Sequence, residues 1–127
     1  MIAADTSTWV AYLEGAKEDD AELLRRALLD KQAVMVPAVL TELMSEPDLP
    51  PEVAASLVDL PLIQITAGYW ERAGLLRAKV VAQGRRARLG DALIAQCCID
   101  EEVPLLARDR DFRAFSEAAG VDLLIKY

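Results

Sequence analysis

Met1-Ile2-Ala3-Ala4-Asp5-Thr6-Ser7-Thr8-Trp9-Val10 opens the chain with the pattern that decides its fold: a short apolar run, an acid, then hydroxyls and the first apolar face of a helix. Ile2-Ala3-Ala4 reads as a strand. Thr6-Ser7-Thr8 supplies capping hydroxyls for a helix through Trp9, Val10, Tyr12 and Leu13, ended near Gly15. The pattern returns along the sequence. Val34-Met35-Val36 is strand-like, and Pro37 suits the first turn of a helix that carries Glu42 and runs to about Ser45. Leu62-Ile63-Gln64-Ile65 is a third strand, with Thr66 capping a long helix through Val81 that Gly84 ends. Pro104-Leu105-Leu106-Ala107 is a fourth, followed by Asp109, Asp111 and a short helix from Phe112 to Ala119 closed by Gly120. Asp122-Leu123-Leu124-Ile125 is the last strand. Further helices start at Asp19-Asp20, with Leu23, Leu24, Ala27 and Leu28 at helical spacing, and at Pro51, reaching Leu60. Another starts at Asp91, after the basic loop Arg85-Arg86-Ala87-Arg88-Leu89-Gly90, and reaches about Asp100. Short strands alternating with helices predict an α/β fold whose mainly parallel sheet is covered on both faces.

Asp5, Glu42, Asp91 and Asp109, with Asp111 as an alternative to the last, each sit where an apolar run gives way to a helix or turn. In an α/β sheet, residues just past the carboxyl ends of strands meet in one crevice. Converging carboxylates repel one another, and a hard divalent cation with oxygen ligands relieves that repulsion. Each acid also has a plainer reading. Asp5 and Asp91 can be helix caps, and Glu42 either lies against an apolar helix face and needs a partner or is solvated. Asp111 is the better cap and Asp109 the better ligand. A position at a helix start also favours the ionised form of Asp91.

Composition narrows the chemistry. At 127 residues the chain makes one domain, 1–127. An apolar content of 54% with 6% aromatics fits either a surface buried against a partner or second copy, or an alanine-rich helical protein. A net charge of −7 argues against a nucleic-acid coat protein, but not against a nuclease whose acids gather around a metal. The chain has no histidine, which removes Ser-His-Asp, Cys-His and histidine–metal chemistry together. Cys97 and Cys98 are sequence neighbours, suited neither to an ordinary disulfide nor to a zinc site. With no 18-residue apolar span and no signal-peptide pattern, the expectation is a cytoplasmic protein without membrane contact.

The ordered set Asp5-Thr6-Ser7 with Trp9-Val10, Thr41-Glu42-Leu43, Leu89-Gly90-Asp91-Ala92-Leu93-Ile94-Ala95 and Leu106-Ala107-Arg108-Asp109-Arg110-Asp111-Phe112 resembles PIN-domain ribonucleases of the VapC toxin type across the whole chain. The resemblance implies a three-layer α/β/α sandwich on a central parallel sheet of about five short strands. It implies a Mg²⁺- or Mn²⁺-dependent endoribonuclease, the toxin of a type II toxin–antitoxin pair, with a VapB-type antitoxin partner and a homodimer. Asp5 and Asp91 would be the main ligands, completed by Glu42 and Asp109 or Asp111, and a Mg²⁺-activated water would attack the RNA phosphodiester. Ala107-Arg108 departs from the family, which often carries Thr or Asn there. Arg85, Arg86, Arg88, Arg108, Arg110 and Arg113 border these acids in sequence. They would either hold RNA phosphates or pair with acids of this protein or of the antitoxin. Thr6 or Ser7 would touch a ligand carboxylate or a phosphate, or cap the helix. Trp9, Tyr12 and Trp70 read as core or interface, and the early helices, with Leu23 and Leu24, as the groove for a helical antitoxin segment. Two other readings stand beside this one: a catalytically silent PIN-like scaffold, and a PIN nuclease that processes RNA or DNA without an antitoxin. A HAD-like phosphatase is disfavoured by Ser7 in the place of its second Asp. A receiver domain is disfavoured by the single acid after the first strand.

Overall fold

The computed structural model describes residues 1–124. Its elements are β1 (Ala3–Ala4), α1 (Thr6–Leu13), α2 (Asp19–Leu29), α3 (Pro37–Met44), α4 (Pro51–Val58), α5 (Tyr69–Ala82), α6 (Leu89–Asp100), β2 (Leu105–Leu106) and α7 (Phe112–Ala119). β1 and β2 pair in parallel, Ala3 opposite Leu105 and Ala4 opposite Leu106. Single parallel bridges extend this ladder: Ile2 to Ala33, Met35 to Leu62, and Leu105 to Leu123. Neighbouring segments therefore run in the spatial order 62, 33–35, 2–4, 105–106, 123.

The expected five-stranded sheet thus contains two strands among the described residues, with three further segments attached by isolated bridges. Ile125, the end of the expected last strand, lies outside the described residues. The ladders stay short for a physical reason. Pro37 and Pro61 bound two of the bridged segments, and proline has no N–H to donate. Helix α3 also begins immediately after Val36. Backbone hydrogen bonds still join the segments, for example Val34 N to Ile2 O at 2.9 Å, Ile63 N to Met35 O at 2.9 Å and Asp5 N to Leu106 O at 2.8 Å.

Chain order places the site. The first three segments step outward on one side of β1, and β2 then returns to its other side. That reversal is a topological switch point, where strands that part company leave a crevice beyond their carboxyl ends. Asp5 follows β1 and Asp109 follows β2, so both lie beside that crevice.

Helices pack as two groups, α1 against α2 and α5 against α6 and α7, with α3 touching α1, α4 and α6. Pro37 and Pro51 occupy the starts of their helices, as read from the sequence, and Gly120 closes α7 in the left-handed conformation, φ 77°. Thr66 does not cap α5. Gly68 does, with φ 82°, and the Thr66 hydroxyl accepts from Arg72 Nη2 at 3.1 Å instead. Trp9, Phe112, Phe115, Leu24, Met35, Ile94, Leu105 and Leu106 are the large buried side chains of the core. Truncating Leu106 to Ala costs about 2–5 kcal/mol by the usual sum of lost transfer energy and cavity. Of the side chains read as core or interface, Trp9 is buried with its ring edge-on to Tyr12, whereas Trp70 is 63% exposed. Leu24 belongs to the core, and Leu23 points outward. Among the described residues, no helix is long and apolar enough to cross a membrane.

Candidate metal centre

Asp5 follows β1 and caps α1 with its own carboxylate: Oδ1 accepts from Thr8 N at 2.8 Å. The three hydroxyls expected to cap this helix each donate to an acid instead. Ser7 Oγ reaches Asp5 Oδ2 at 2.9 Å, Thr6 Oγ1 reaches Glu42 Oε1 at 2.9 Å, and Thr8 Oγ1 reaches Asp20 Oδ2 at 2.9 Å. A carboxylate is the stronger acceptor, and at the N-terminus of α1 its charge is favoured. Asp5 is 2% exposed. Burial pushes its carboxyl above the ordinary range, and the bonds from Thr8 and Ser7 oppose that shift.

Glu42 is exposed on α3, so its partner is not demanded by burial. Thr6 nevertheless ties it to the start of α1. Asp91 is the third residue of α6, whose N-cap is Arg88; it is not itself the cap. Its Oδ2 is buried and has no hydrogen-bond partner among the described residues. Burial first, and the charge of Asp109 second, push this carboxyl up to about 6, against the lowering effect of Arg88. Asp5 and Glu42 add smaller repulsion. The first-turn position, which favours ionised Asp91, is outweighed. α6 is a rigid carrier, because Ala92, Ile94, Ala95, Gln96, Cys97 and Cys98 bury most of its circumference.

Asp109 Oδ1 accepts from Asp111 N at 2.9 Å. Asp111 stands at the N-cap position of α7, but its side chain makes no cap bond; Arg86 Nε lies 3.8 Å from its Oδ2. Asp91, Asp109 and Asp111 each offer a carboxylate oxygen within 4.8 Å of the other two. Asp5, Glu42, Asp91 and Asp109 all line one open cavity of about 400 Å³. Of the two candidates for the fourth acid, Asp109 is therefore the one that lines the cavity, while Asp111 joins Asp91 and Asp109 in the closer group.

The arginines divide. Arg88 is exposed and lines the cavity. Arg108 also lines it, but Asp20 grips its guanidinium with two bonds, Nε to Oδ2 at 2.9 Å and Nη2 to Oδ1 at 2.7 Å. Arg85 pairs with Glu117 and Arg86 with Asp111, so both are drawn to the protein's own acids. Arg110 and Arg113 are exposed beside the turn.

Two residues escaped the sequence reading. Glu14 lines the cavity from the end of α1. It shares a helical face with Thr6 and Val10 at spacings of four, a signal present in the sequence but not followed as far as Glu14. Asp20 is fully buried between Thr8 and Arg108. In sequence it only opens a helix beside Asp19, and its main partner is 88 positions away.

The donor set is all oxygen and strongly negative, and Asp91 brings a buried oxygen without a partner among the described residues. Those features suit a hard divalent cation.

A PIN domain family model matches residues 2–118. The chain is 28% identical over 126 residues to Ribonuclease VapC5 of Mycobacterium tuberculosis (strain ATCC 25618 / H37Rv), covering 94% of this chain and 91% of that protein. Its fold is similar to chains in three solved structures. One is VapBC2 from Rickettsia felis bound to a DNA fragment from its promoter, with TM-score 0.71, 20% identity, and 100% and 99% of the two chains covered. Another is VapBC-5 from Mycobacterium tuberculosis, with TM-score 0.69, 23% identity, and 99% and 98% covered. The third is FitAcB from Neisseria gonorrhoeae, with TM-score 0.68, 15% identity, and 98% and 97% covered.

Proposed function

Because the chain belongs to the PIN domain family, we propose that it is a metal-dependent endoribonuclease and the toxin of a VapBC-type toxin–antitoxin pair. The observation that carries this reading is the cavity ringed by Asp5, Glu42, Asp91 and Asp109, with a buried Asp91 oxygen that has no hydrogen-bond partner among the described residues. Asp5, Asp91 and Asp109 would hold Mg²⁺ or Mn²⁺, with Glu42 completing the set and Asp111 close enough to share it. When bound, the cation supplies positive charge for the phosphodiester and lowers the pKa of a water toward neutrality.

The chain's own residues do the rest. Thr8 and Ser7 hold the Asp5 carboxylate in one orientation. Thr6 turns Glu42 toward the start of α1. Arg88, at the cavity edge, offers a cation to an RNA phosphate, whereas Arg85, Arg86 and Arg108 reach phosphates only by sharing or leaving their acids. The parallel segments around β1 and the two helical groups support reading the core as a PIN three-layer sandwich.

A helical antitoxin segment has a place to lie. Two clefts share Leu13 and border the same helix, one walled by Val10, Leu43 and Leu49 with the acids Glu46 and Asp48 at its edge, and the other by Tyr12, Leu28, Val53 and Leu57. The first shares Thr6, Val10, Glu14 and Glu42 with the acidic cavity, so a helix seated there would reach the site. A homodimer and a cytoplasmic location complete the reading.

Inducing the chain in a bacterium without antitoxin, beside Asp5→Asn, tests it. Growth arrest with discrete RNA fragments, absent in the variant, is the expected result. Purified protein that leaves all cellular RNA intact with Mg²⁺ and with Mn²⁺ would sink the nuclease reading.

A further inference from the structure

Asp20 is 0% exposed and sits in the first turn of α2, outside the cavity wall. A buried carboxylate at this depth persists only with strong partners. Asp20 has two, and both lead to the site. Its two oxygens take the Arg108 guanidinium, the two-pronged charge-assisted geometry that fixes orientation as well as distance. Oδ2 also accepts from the Thr8 hydroxyl at 2.9 Å. Thr8 in turn donates its backbone N–H to Asp5 Oδ1 at 2.8 Å. Arg108 directly precedes Asp109, so the grip on its side chain also restrains the turn that presents that acid.

We propose that Asp20 is a positioning residue of the metal centre: it holds the Arg108 cation at the cavity wall and, through Thr8, steadies the helix turn that binds Asp5. This rests on the nuclease reading. It gives Arg108 a defined place. Its side chain lines the cavity with Nε and Nη2 engaged by acids, so substrate meets a cation already oriented and spends little on ordering it.

The test is calorimetric titration of metal-free protein with Mn²⁺, together with steady-state cleavage of single-stranded RNA, for wild type, Asp20→Asn, Arg108→Gln and the double variant. Asp20→Asn is expected to keep its circular dichroism while losing roughly tenfold in Mn²⁺ affinity, the scale of a lost partner behind a metal ligand. KM for RNA should rise in Asp20→Asn, and the double variant should be no worse in KM than Arg108→Gln alone. A folded Asp20→Asn with wild-type Mn²⁺ affinity and wild-type KM overturns the proposal. So do additive effects in the double variant. If Asp20→Asn fails to fold, Thr8→Val and Thr8→Ser decide by the same titration: Val should weaken Mn²⁺ binding and Ser restore it, and equal affinities overturn the proposal. Wild type that neither binds Mn²⁺ nor cuts RNA overturns the nuclease reading and this proposal with it. Active wild type with unchanged variants removes only the positioning role.

Discussion

Asp5 and Asp91 face the same cavity but are held in opposite ways. Asp5 is gripped by its own helix, with both oxygens hydrogen-bonded. Asp91 projects from the first turn of a rigid helix with one buried oxygen unbonded, and burial and Asp109 push its carboxyl up to about 6. The first acid is part of the scaffold and would serve a metal as well. The second costs the apo fold free energy that a cation would offset. Having both kinds in one site separates what builds the cavity from what would give it affinity for a cation.

The largest effect that probes this contrast is on catalysis. Asp5→Asn and Asp91→Asn should each lower RNA cleavage by more than about 100-fold, beyond the usual loss from an outer partner of a metal ligand. Metal-free stability should then separate the two. Asp5→Ala removes the α1 cap and should lower unfolding free energy by about 1–2 kcal/mol in a urea melt. Asp91→Asn removes repulsion without removing a cap and should raise stability at neutral pH by roughly 1 kcal/mol, after allowing for solvent screening at a partly buried site. Equal destabilisation by both variants would erase the distinction.

Acidity sharpens it further. Metal-free native protein keeps the Asp91 proton up to about pH 6, whereas the unfolded chain releases it near 3.8. Between those values the native state binds more protons, so the Asp91 contribution to stability falls as pH rises. Asp20 and Asp100 act the other way. Their carboxyls are lowered, chiefly by Arg108 and Arg72, so the stability they give is present above 3.8 and lost as pH falls below it. Asp91→Asn should flatten the slope between 3.8 and about 6 and leave the acid limb unchanged, as chemical denaturation at stepped pH would read. The smallest effect concerns the arginines. Arg88→Ala should reduce the salt slope of single-stranded RNA binding by roughly 0.7, the value for one phosphate contact. Arg85→Ala, whose cation already pairs with Glu117, should change it much less.

The contrast also explains what was readable in advance. Strand–helix alternation, the prolines that open α3 and α4 and the glycine that closes α7 are local signals, and they placed the acids in order along the chain. Four of those acids do line one cavity. Burial and pairing are not local. Glu42, beside Leu40, Leu43 and Met44, read either as set against an apolar face or as solvated, and the helix turns it outward. Asp20 read only as part of a helix start, because nothing near it in sequence announces Arg108. For Arg108 the sequence left two roles open, RNA phosphate or an acid of the protein, and Asp20 fills the second. The extent of the sheet was less legible: among the described residues, apolar runs such as Leu62-Ile63-Gln64-Ile65 join it by a single bridge.

The two tryptophans give the molecule a pair of optical probes. Trp9 is sealed in the core, so its emission should be blue-shifted and shielded from acrylamide. Trp70 is open to water in a cleft that contains Glu42, so its emission should be red-shifted and readily quenched. Anything that settles beside Glu42 can change the second signal while leaving the first as an internal standard, and no dye need be attached to watch the site fill.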